Sequence, residues 1–391
     1  MPERPSSGWN RTTGIHPFTL NIEQDRLVDF KHRIARIRWP EKKTVKDWSQ
    51  RAPLAQVQAL CDHGQNRYDW RTCEARLNAA GQLTTVIDVL RIHFLHIRSP
   101  TADALPLLPT HGWPGSITEF MKVLGPLSDP AAHGGNPADA FHLVVPSIPG
   151  YGFSERPAEI GWSVEHIATA WTTLMERLGY SRFVAQGGDW GAAVRTALAE
   201  QAPPGCAGIH LNLPIVFPSK EDLENLTPKE AVALEAVKPY RETGMGYANQ
   251  QATKPQTLGY GLTDSPAGQA AWIYEKFHGW TDHQGTPETV FTRDELLDNI
   301  MLYWLPANAA SSARLDWESS HFFRARKVEI PVGVSMFHKE LIWVSRRWAE
   351  NSYANIIHWN DLDKGGHFVA FEQPELFTQE LRQCFRSLRS A

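Results

Sequence analysis

The stretch "QGGDWGAA", Gln186 to Ala193, decides how the rest of the sequence is interpreted. A sharp strand-to-helix turn that exposes a nucleophile needs small residues two places before and two places after that nucleophile. Gly187 and Gly191 meet this need, and the residue midway between them is Asp189. The preceding run "SRFVAQGG" predicts a buried strand, and the following "WGAAVRTALAE" predicts a helix. The sequence therefore predicts a strand–turn–helix unit whose exposed side chain is a carboxylate.

The segments around this turn repeat the alternation of strand and helix. Strands are predicted in "TTVIDVLRIHFLHIRS" (a hairpin), "ALPLLPTHG", "FHLVVPSIPGYG", "GIHLNLP", "VEIPVGVSMF" and "NIIHWNDL". An amphipathic helix is predicted from Ser163 to Leu178, with Ser163 as its N-cap and Gly179 ending it. This alternation predicts an α/β fold with a mostly parallel central sheet flanked by helices.

Two long segments depart from the alternation. Near the N-terminus, the spacing of Leu27, Phe30, Ile34 and Ile37 predicts an amphipathic helix that Pro40 ends. Residues 216–323 lack the strand pattern and are mainly helical in pattern. A segment of this length is far too long for an ordinary connection between strands. We therefore expect an N-terminal extension at 1–83, core segments at 84–215 and 324–391, and a helical lid at 216–323.

Composition limits the class of partner. The 391 residues are 42% hydrophobic and 21% charged, as in ordinary globular proteins, and a net charge of −4 gives no reason to expect a nucleic-acid partner. The start "MPERPSSGWNRTTG" lacks the apolar run of a signal peptide, and no run reaches the ~18 apolar residues of a membrane span. We expect a soluble, cytoplasmic protein without a membrane anchor; a homodimer is an oligomeric state that the sequence leaves open.

The cysteine and histidine patterns argue against a metal site. The four cysteines are scattered without CxxC spacing, and there is no HExxH pattern. His93 and His96 lie in a strand-like run, where ordinary strand histidines are expected. The sequence thus predicts reduced, buried thiols, with no metal and no cofactor.

Residues able to carry out chemistry follow four predicted strands at their carboxyl ends, where open α/β sheets place active sites. These segments are "THGWPGS" (from Thr110), the turn with Asp189, "SMFHKE" with Glu340 and "DKGGHF" with His367. Each is common when taken alone, but nucleophile, acid and histidine follow the chain order of α/β-hydrolases. The predicted fold is therefore an α/β-hydrolase fold with a lid.

A carboxylate nucleophile favours attack on a saturated carbon that bears a leaving group. Such an attack leaves an ester on Asp189, which water must then hydrolyse with His367 as general base and Glu340 as its orienting acid. The backbone N–H groups of Trp113 and Trp190 are the expected oxyanion-hole donors. The pattern thus favours alkyl transfer over acyl transfer.

Several motifs, "HGWPGS", "PGYGFS", "GGDWG", "ATKPQTLGYGLTDSPAG" and "GGHF", behind "IRWP" and "YDWR", resemble the microsomal-type epoxide hydrolase family. The resemblance covers nearly the whole chain from about Pro17 and includes that family's N-terminal extension. It implies an epoxide and water as substrates, no cofactor, and Asp189, Glu340 and His367 as the catalytic set. The Trp- and Phe-rich composition suits a small apolar or aryl epoxide. Without an N-terminal anchor, the chain is similar to the soluble bacterial or fungal members.

The resemblance also implies two lid tyrosines that hydrogen-bond and protonate the epoxide oxygen. One matches Tyr247 in "GMGYANQ"; at the other position, in "SSARLDWES", this chain has Asp316. A protonated Asp316 would still donate a hydrogen bond. Trp317, after a one-residue shift in register, and Tyr303 are alternative donors. A further alternative is that Asp316 faces solvent and Tyr247 acts alone.

Three functions compete at this stage. The first is hydrolysis of an epoxide to a vicinal diol through an ester on Asp189, or a diverged form of it in which Asp316 alters or abolishes ring opening. The second is dehalogenation by the same Asp and His machinery, for which Trp190 would suit a halide. The third is a catalytically silent binding protein, which the intact acid–base set disfavours. Tyr247 and the N-terminal extension favour the first.

Overall fold

The computed structural model describes residues 13–389. The first twelve residues, which bear on the expected lack of a signal peptide, lie outside the described residues, as do the last two residues of the predicted second core segment.

A single nine-stranded sheet forms the centre of the described chain. Its strands are β1 (His16–Pro17), β2 (Gln82–Ile87), β3 (Leu90–Ile97), β4 (Leu105–Thr110), β5 (Phe141–Pro146), β6 (Phe183–Gly187), β7 (Cys206–Leu211), β8 (Val332–Met336) and β9 (Ile356–Asp361). The spatial order is β1-β2-β3-β5-β4-β6-β7-β8-β9. The pairs from β1 to β5 are antiparallel, and the pairs from β5 to β9 are parallel. This confirms the prediction of a mostly parallel sheet.

Helices cover both this sheet and its carboxyl edge. The described α-helices are α1 (Gln24–Ala35), α2 (Leu54–Asn66), α3 (Trp70–Ala79), α4 (Leu124–Ser128), α5 (Val164–Arg177), α6 (Asp189–Gln201), α7 (Lys220–Glu224), α8 (Pro228–Pro239), α9 (Gly246–Thr253), α10 (Pro255–Asp264), α11 (Pro266–Trp280), α12 (Arg293–Trp304), α13 (Ala309–Ser319), α14 (Arg346–Glu350), α15 (Val369–Glu372) and α16 (Pro374–Phe385). Every residue of β5 and β6 is buried, as is expected for parallel strands with helices on both faces.

Two helix ends differ in detail from the sequence-based prediction. Ser163 does occupy the N-cap position of α5, but its hydroxyl donates to the Glu165 carboxylate at 2.7 Å instead of capping the helix backbone. The helix predicted to run up to Pro40 ends at Ala35, because the chain tightens into i→i+3 hydrogen bonds at its last turn.

The long segment between β7 and β8 contains helices α7 to α13, and within the described residues it contains no strand. This matches the helical character predicted for residues 216–323. The Arg347 guanidinium, on α14, donates to Asp222 of α7 and to Glu230 of α8, both at 2.7 Å. The front of the helical segment is thereby tied to the sheet domain.

The N-terminal segment joins the edge of the sheet to the rear of the helical segment. Strand β1 pairs with β2, and helices α1 and α2 pack on α11. The buried hydroxyl of Tyr68 donates to Asp298 of α12 at 2.8 Å, and Arg33 pairs with Asp264 at the end of α10. The extension is thus integral to the packing of the molecule.

The described residues also bear on three further expectations from the sequence. In this part of the chain, each helix is too short or too polar to cross a bilayer. All four cysteines are buried and unpaired, as predicted. His93 and His96 lie on β3 and bond to neighbouring side chains, His93 to Ser147 and Gln82.

Candidate active site

The turn between β6 and α6 places Asp189 in a strained backbone conformation at the carboxyl edge of the sheet. Its φ angle is +50°, which side-chain-bearing residues rarely adopt. The turn requires glycine on both sides: a Cβ on Gly187 would lie 2.3 Å from the backbone of Gly191, and one on Gly191 would lie 2.0 Å from the Thr110 carbonyl oxygen. The glycine spacing in the sequence therefore has a steric cause.

The structure brings Asp189, His367 and Glu340 together. His367 Nε2 lies 3.2 Å from Asp189 Oδ2, and His367 Nδ1 lies 2.7 Å from Glu340 Oε1. Glu340 follows β8 after a short loop, and its Oε1 also accepts the Leu341 backbone N–H. His367 is held by its own backbone N–H, which donates to the Trp280 carbonyl at 2.8 Å. One imidazole thus bridges two carboxylates.

The electrostatics of this arrangement favour the imidazolium form in the resting enzyme. Burial acts to lower the pKa of His367, but the charges of Glu340 and Asp189 and their hydrogen bonds outweigh it. The pKa of His367 therefore lies well above its ordinary value. Part of that increase in pKa depends on the negative charge of Asp189. This part is lost when the Asp189 carboxylate is esterified, whereas the part due to Glu340 remains.

The loop after β4 supplies a backbone donor to the nucleophile. The Trp113 N–H donates to Asp189 Oδ1 at 2.7 Å, and a Cβ on Gly112 would lie 2.2 Å from the same oxygen. Two side chains of α12 hold this loop in place. Asn299 donates to the Pro114 carbonyl, and the Tyr303 hydroxyl donates to the Gly115 carbonyl at 2.6 Å. Trp190, whose N–H was the second expected donor, follows Asp189 in the first turn of α6.

A largely apolar cavity of about 290 Å³ opens onto Asp189. Its apolar walls come from the residues after β7, from α8 and from the loop before α14; they include Ile215, Val216, Phe217, Leu234, Val237, Met245, Trp343 and Val344. Four polar groups line the reactive end: Asp189, Tyr240, Tyr247 and Asp316. An apolar cavity with a few polar groups at one end is typical of small-molecule sites.

Asp316 is buried in this cavity, so the alternative in which it faces solvent is wrong. Its side chain accepts a hydrogen bond from Gln251 Nε2 at 3.0 Å, and Gln251 in turn accepts one from the Trp272 indole. Burial and the nearby Asp189 charge raise the pKa of Asp316 well above its ordinary value. Burial and the charge of Asp189 therefore both favour the protonated form of this carboxyl group, which lines the same cavity as the nucleophile.

Tyr247 lies between an aromatic ring and a buried cation. Its ring stacks on Trp113 with centroids 4.9 Å apart, and Lys276 Nζ lies 4.2 Å from its ring centroid. Its hydroxyl is 3.1 Å from that of Tyr240. Burial, Tyr240 and Asp189 raise the pKa of Tyr247 well above its ordinary value, so the hydroxyl keeps its proton.

The structure places the two alternative donors away from the reactive end. Trp317 is 47% exposed and lines a separate surface groove with Trp162 and Ile160, because the helical turn directs neighbouring side chains apart. Tyr303 is buried, but its hydroxyl is engaged with Gly115 and its role is to support the loop. Of these candidates, Asp316 and Tyr247 share the cavity with Asp189.

Sequence reasoning missed three polar residues of the site: Tyr240, Gln251 and Glu119. Tyr240 and Gln251 meet Tyr247 and Asp316 only through the packing of α8, α9 and α13. Glu119 follows the "HGWPGS" motif by three residues, and this closeness to a predicted site loop was a usable signal.

The chain is similar to epoxide hydrolases over nearly its whole length. A family model described as "Epoxide hydrolase N terminus" matches residues 15–120, and one described as "alpha/beta hydrolase fold" matches residues 106–239. A "Putative epoxide hydrolase" of Stigmatella aurantiaca is 55% identical, over 96% of this chain and 86% of the relative. "Epoxide hydrolase 1" of Sus scrofa is 35% identical, over 94% and 88%.

Solved structures show the same architecture. The juvenile hormone epoxide hydrolase of the silkworm Bombyx mori matches with a TM-score of 0.88 and 30% identity, covering 97% of this chain and 96% of that one. The Aspergillus niger epoxide hydrolase matches with a TM-score of 0.86 and 29% identity, covering 96% and 97%.

Proposed function

Because this chain belongs to the epoxide hydrolase family, we propose that it hydrolyses an epoxide to a vicinal diol through a covalent ester on Asp189. The observation that carries the proposal is the placement of Asp189. It contacts His367 and the Trp113 N–H, and it opens onto a cavity with two protonated acids, Tyr247 and Asp316. A nucleophile, its base and electrophilic donors around one point are what epoxide opening requires.

In the first step a carboxylate oxygen of Asp189 attacks one epoxide carbon. The C–O bond to that carbon breaks, and the epoxide oxygen takes up a proton as its negative charge develops. Tyr247 hydrogen-bonds this oxygen, and Asp316 is the second donor in place of the family tyrosine. A protonated carboxyl is a stronger acid than a phenol, so Asp316 supplies the proton that an alkoxide leaving group needs.

In the second step water attacks the carbonyl carbon of the ester. Once Asp189 is esterified, His367 gives up its proton, which restores the acid form of Asp316. The neutral Nε2 then takes a proton from the water, and Glu340 stabilises the imidazolium through Nδ1. The backbone N–H groups of Trp113 and Trp190 stabilise the oxyanion of the tetrahedral intermediate. The bond to the alkyl oxygen then breaks, and the alkoxide takes the proton from His367 and leaves as the diol. The proton that remains on the Asp189 carboxyl passes to His367, which restores the carboxylate and the imidazolium.

The cavity supports a substrate with an apolar or aryl substituent. Its volume of about 290 Å³ and its lining of Ile, Val, Leu and Trp side chains favour burial of hydrocarbon. At the reactive end the donors lie close to Asp189, so the epoxide group itself is the polar part of the preferred ligand. Styrene oxide is a suitable probe of this class.

The test is intact mass spectrometry of the His367→Gln variant mixed with styrene oxide. We expect a mass increase equal to the whole epoxide, on the peptide that contains Asp189, because water attack is blocked while alkylation proceeds. The Asp189→Asn variant is the matched control and should gain no mass. An alkyl halide is mixed in parallel, because an adduct that forms only with the halide, with halide release, would contradict the proposal and indicate a dehalogenase.

A further inference from the structure

A second, small cavity meets the apolar cavity at the nucleophile. Its volume is about 20 Å³, which is room for one or two water molecules. Among the described residues that line the two cavities, Asp189 belongs to both. His367, Gln186 and Glu119 line the small cavity and are absent from the lining of the apolar one. Organic substrate and water thus have separate places beside the same carboxylate.

Glu119 is directed back toward this cavity by the loop that carries Trp113. It lies in the helical turn Ile117–Phe120, and a Cβ on Gly115 would lie 1.3 Å from Glu119 Oε1. Only glycine at position 115 therefore leaves space for the carboxyl group. Burial raises the pKa of Glu119 to about 8; His367 acts to lower it and Asp189 to raise it. The carboxyl is therefore protonated near neutral pH.

Gln186, which also lines this cavity, has one polar atom without a partner among the described residues. Gln186 is 1% exposed, and its amide nitrogen donates to Asn212 at 2.8 Å. Its amide oxygen is buried without a hydrogen-bond partner among the described residues. Buried polar atoms in native proteins are paired with protein or with ordered water. A water in this cavity would supply the hydrogen bond that Gln186 Oε1 needs.

We propose that Glu119 and His367 together hold the water that hydrolyses the ester, in the small cavity between them. The inference rests on the proposed ester on Asp189. This water donates one hydrogen to His367 Nε2 and the other to the carbonyl oxygen of the neutral Glu119 carboxyl, which leaves a lone pair for the ester carbon. A second water in the same cavity donates to Gln186 Oε1. The O–C bond forms as His367 takes its proton. Glu119 exchanges no proton in the step.

A neutral carboxyl suits this role for an electrostatic reason. An ionised carboxylate at the same place would compete with His367 for the proton of the water and would repel the developing oxyanion. A neutral acid accepts a hydrogen bond through its carbonyl oxygen without adding charge. The carbonyl oxygen of a glutamine side chain offers the same acceptor, which gives the experiment its conservative variant.

The experiment measures the two steps separately by stopped-flow fluorescence and rapid quench with styrene oxide, in Glu119→Met and Glu119→Gln. Glu119→Met removes the acceptor and keeps most of the side-chain volume. We expect its alkylation rate to stay within about threefold of the unsubstituted enzyme and its ester hydrolysis to slow by about tenfold or more, so that ester accumulates. Glu119→Gln should restore hydrolysis to within about threefold.

Asp298→Asn is the matched control, because it removes another carboxyl of raised pKa, one that does not line the cavity. Its ratio of hydrolysis to alkylation should be unchanged. The inference is overturned if Glu119→Met hydrolyses its ester at the normal rate, if it slows both steps equally, or if Glu119→Gln is as slow as Glu119→Met. Failure of the proposed function itself looks different: no ester would form on Asp189 even in His367→Gln.

Discussion

His367 Nδ1 lies 2.7 Å from Glu340 Oε1, and both side chains are almost wholly buried. Glu340 Oε1 also accepts the N–H of Leu341, so this oxygen is fixed in position before it meets the imidazole. The contact determines which ring nitrogen faces the nucleophile, because a carboxylate at Nδ1 leaves Nε2 directed at Asp189.

Replacing Glu340 with glutamine should impair mainly the second step. The amide keeps the shape but loses the negative charge that raises the pKa of His367, so the imidazolium is less stable and its tautomer is no longer fixed. We expect ester hydrolysis to slow by about 10³-fold while alkylation changes far less. Single-turnover kinetics with detection of the ester check this. Equal slowing of both steps would contradict the role assigned to Glu340.

The ring-opening step should depend on the protonation of Asp316. Because burial and Asp189 raise its pKa, the donating acid is present below that raised pKa and is lost as pH rises through it. The alkylation rate should therefore fall toward alkaline pH. Asp316→Tyr should shift this fall to higher pH, since a phenol holds its proton longer. Asp316→Asn should have an alkylation rate about 10²-fold lower and should lack this pH dependence. Stopped-flow measurement of the alkylation rate over a range of pH tests both expectations.

Substitution of Gly191 tests whether steric contact is the reason that the turn at Asp189 needs glycine. An added Cβ would lie 2.0 Å from the Thr110 carbonyl oxygen, so backbone must move in Gly191→Ala. We expect a loss of about 3 kcal/mol or more in the free energy of unfolding, or failure to fold. Gly261→Ala is the control, because a Cβ there meets nothing within 4 Å on an exposed helix. It should stabilise by about 0.5–1 kcal/mol in urea denaturation.

Substitution of Tyr68 tests how much the contact between the N-terminal segment and α12 contributes to the free energy of unfolding. Its hydroxyl donates to Asp298, whose pKa burial raises to about 6 and this hydrogen bond acts to lower. The bond favours the ionised carboxylate, so its contribution is present above about pH 6 and is lost as pH falls through that value. Tyr68→Phe should lower the free energy of unfolding by about 1–2 kcal/mol at pH 8 and by less at pH 5.

The exposed Tyr260 gives the control for that measurement. Tyr260 is 71% exposed on α10, so Tyr260→Phe should leave the free energy of unfolding unchanged at both pH values. A cost for Tyr68→Phe that is larger at pH 5 than at pH 8 would mean that the hydroxyl does not favour the ionised form of Asp298.

The features predictable from sequence were those with local causes. Two glycines at fixed spacing around Asp189 reflect a clash that any side chain would create, and strand runs reflect burial on both faces of the sheet. The order of Asp189, Glu340 and His367 could be combined with the rule that active groups follow parallel strands. These arguments need no knowledge of how distant helices pack.

The rest depends on contacts across the chain. The burial of Asp316 follows from its contact with Gln251, which lies 65 residues away, and the proximity of Tyr240 to Tyr247 depends on the turn that joins α8 to α9. Strand β1 is only two residues long, so no periodicity could indicate it. Whether Asp316 faced solvent or the nucleophile was undecidable until the position of α13 was known.

The N-terminal segment also limits how ligands reach the nucleophile. It joins β2 to helices α10 to α12, so swinging the entire lid outward would break the contacts of Tyr68 and Arg33. The front helices, α7 and α8, are held by a group of polar contacts with the sheet domain. Arg347, Asn351 and Ser345 bond to Asp222 and Glu230, and Lys229 pairs with Asp361. Outward movement of the lid therefore has to break polar contacts on two sides of the apolar cavity, those of the N-terminal segment and those of α14.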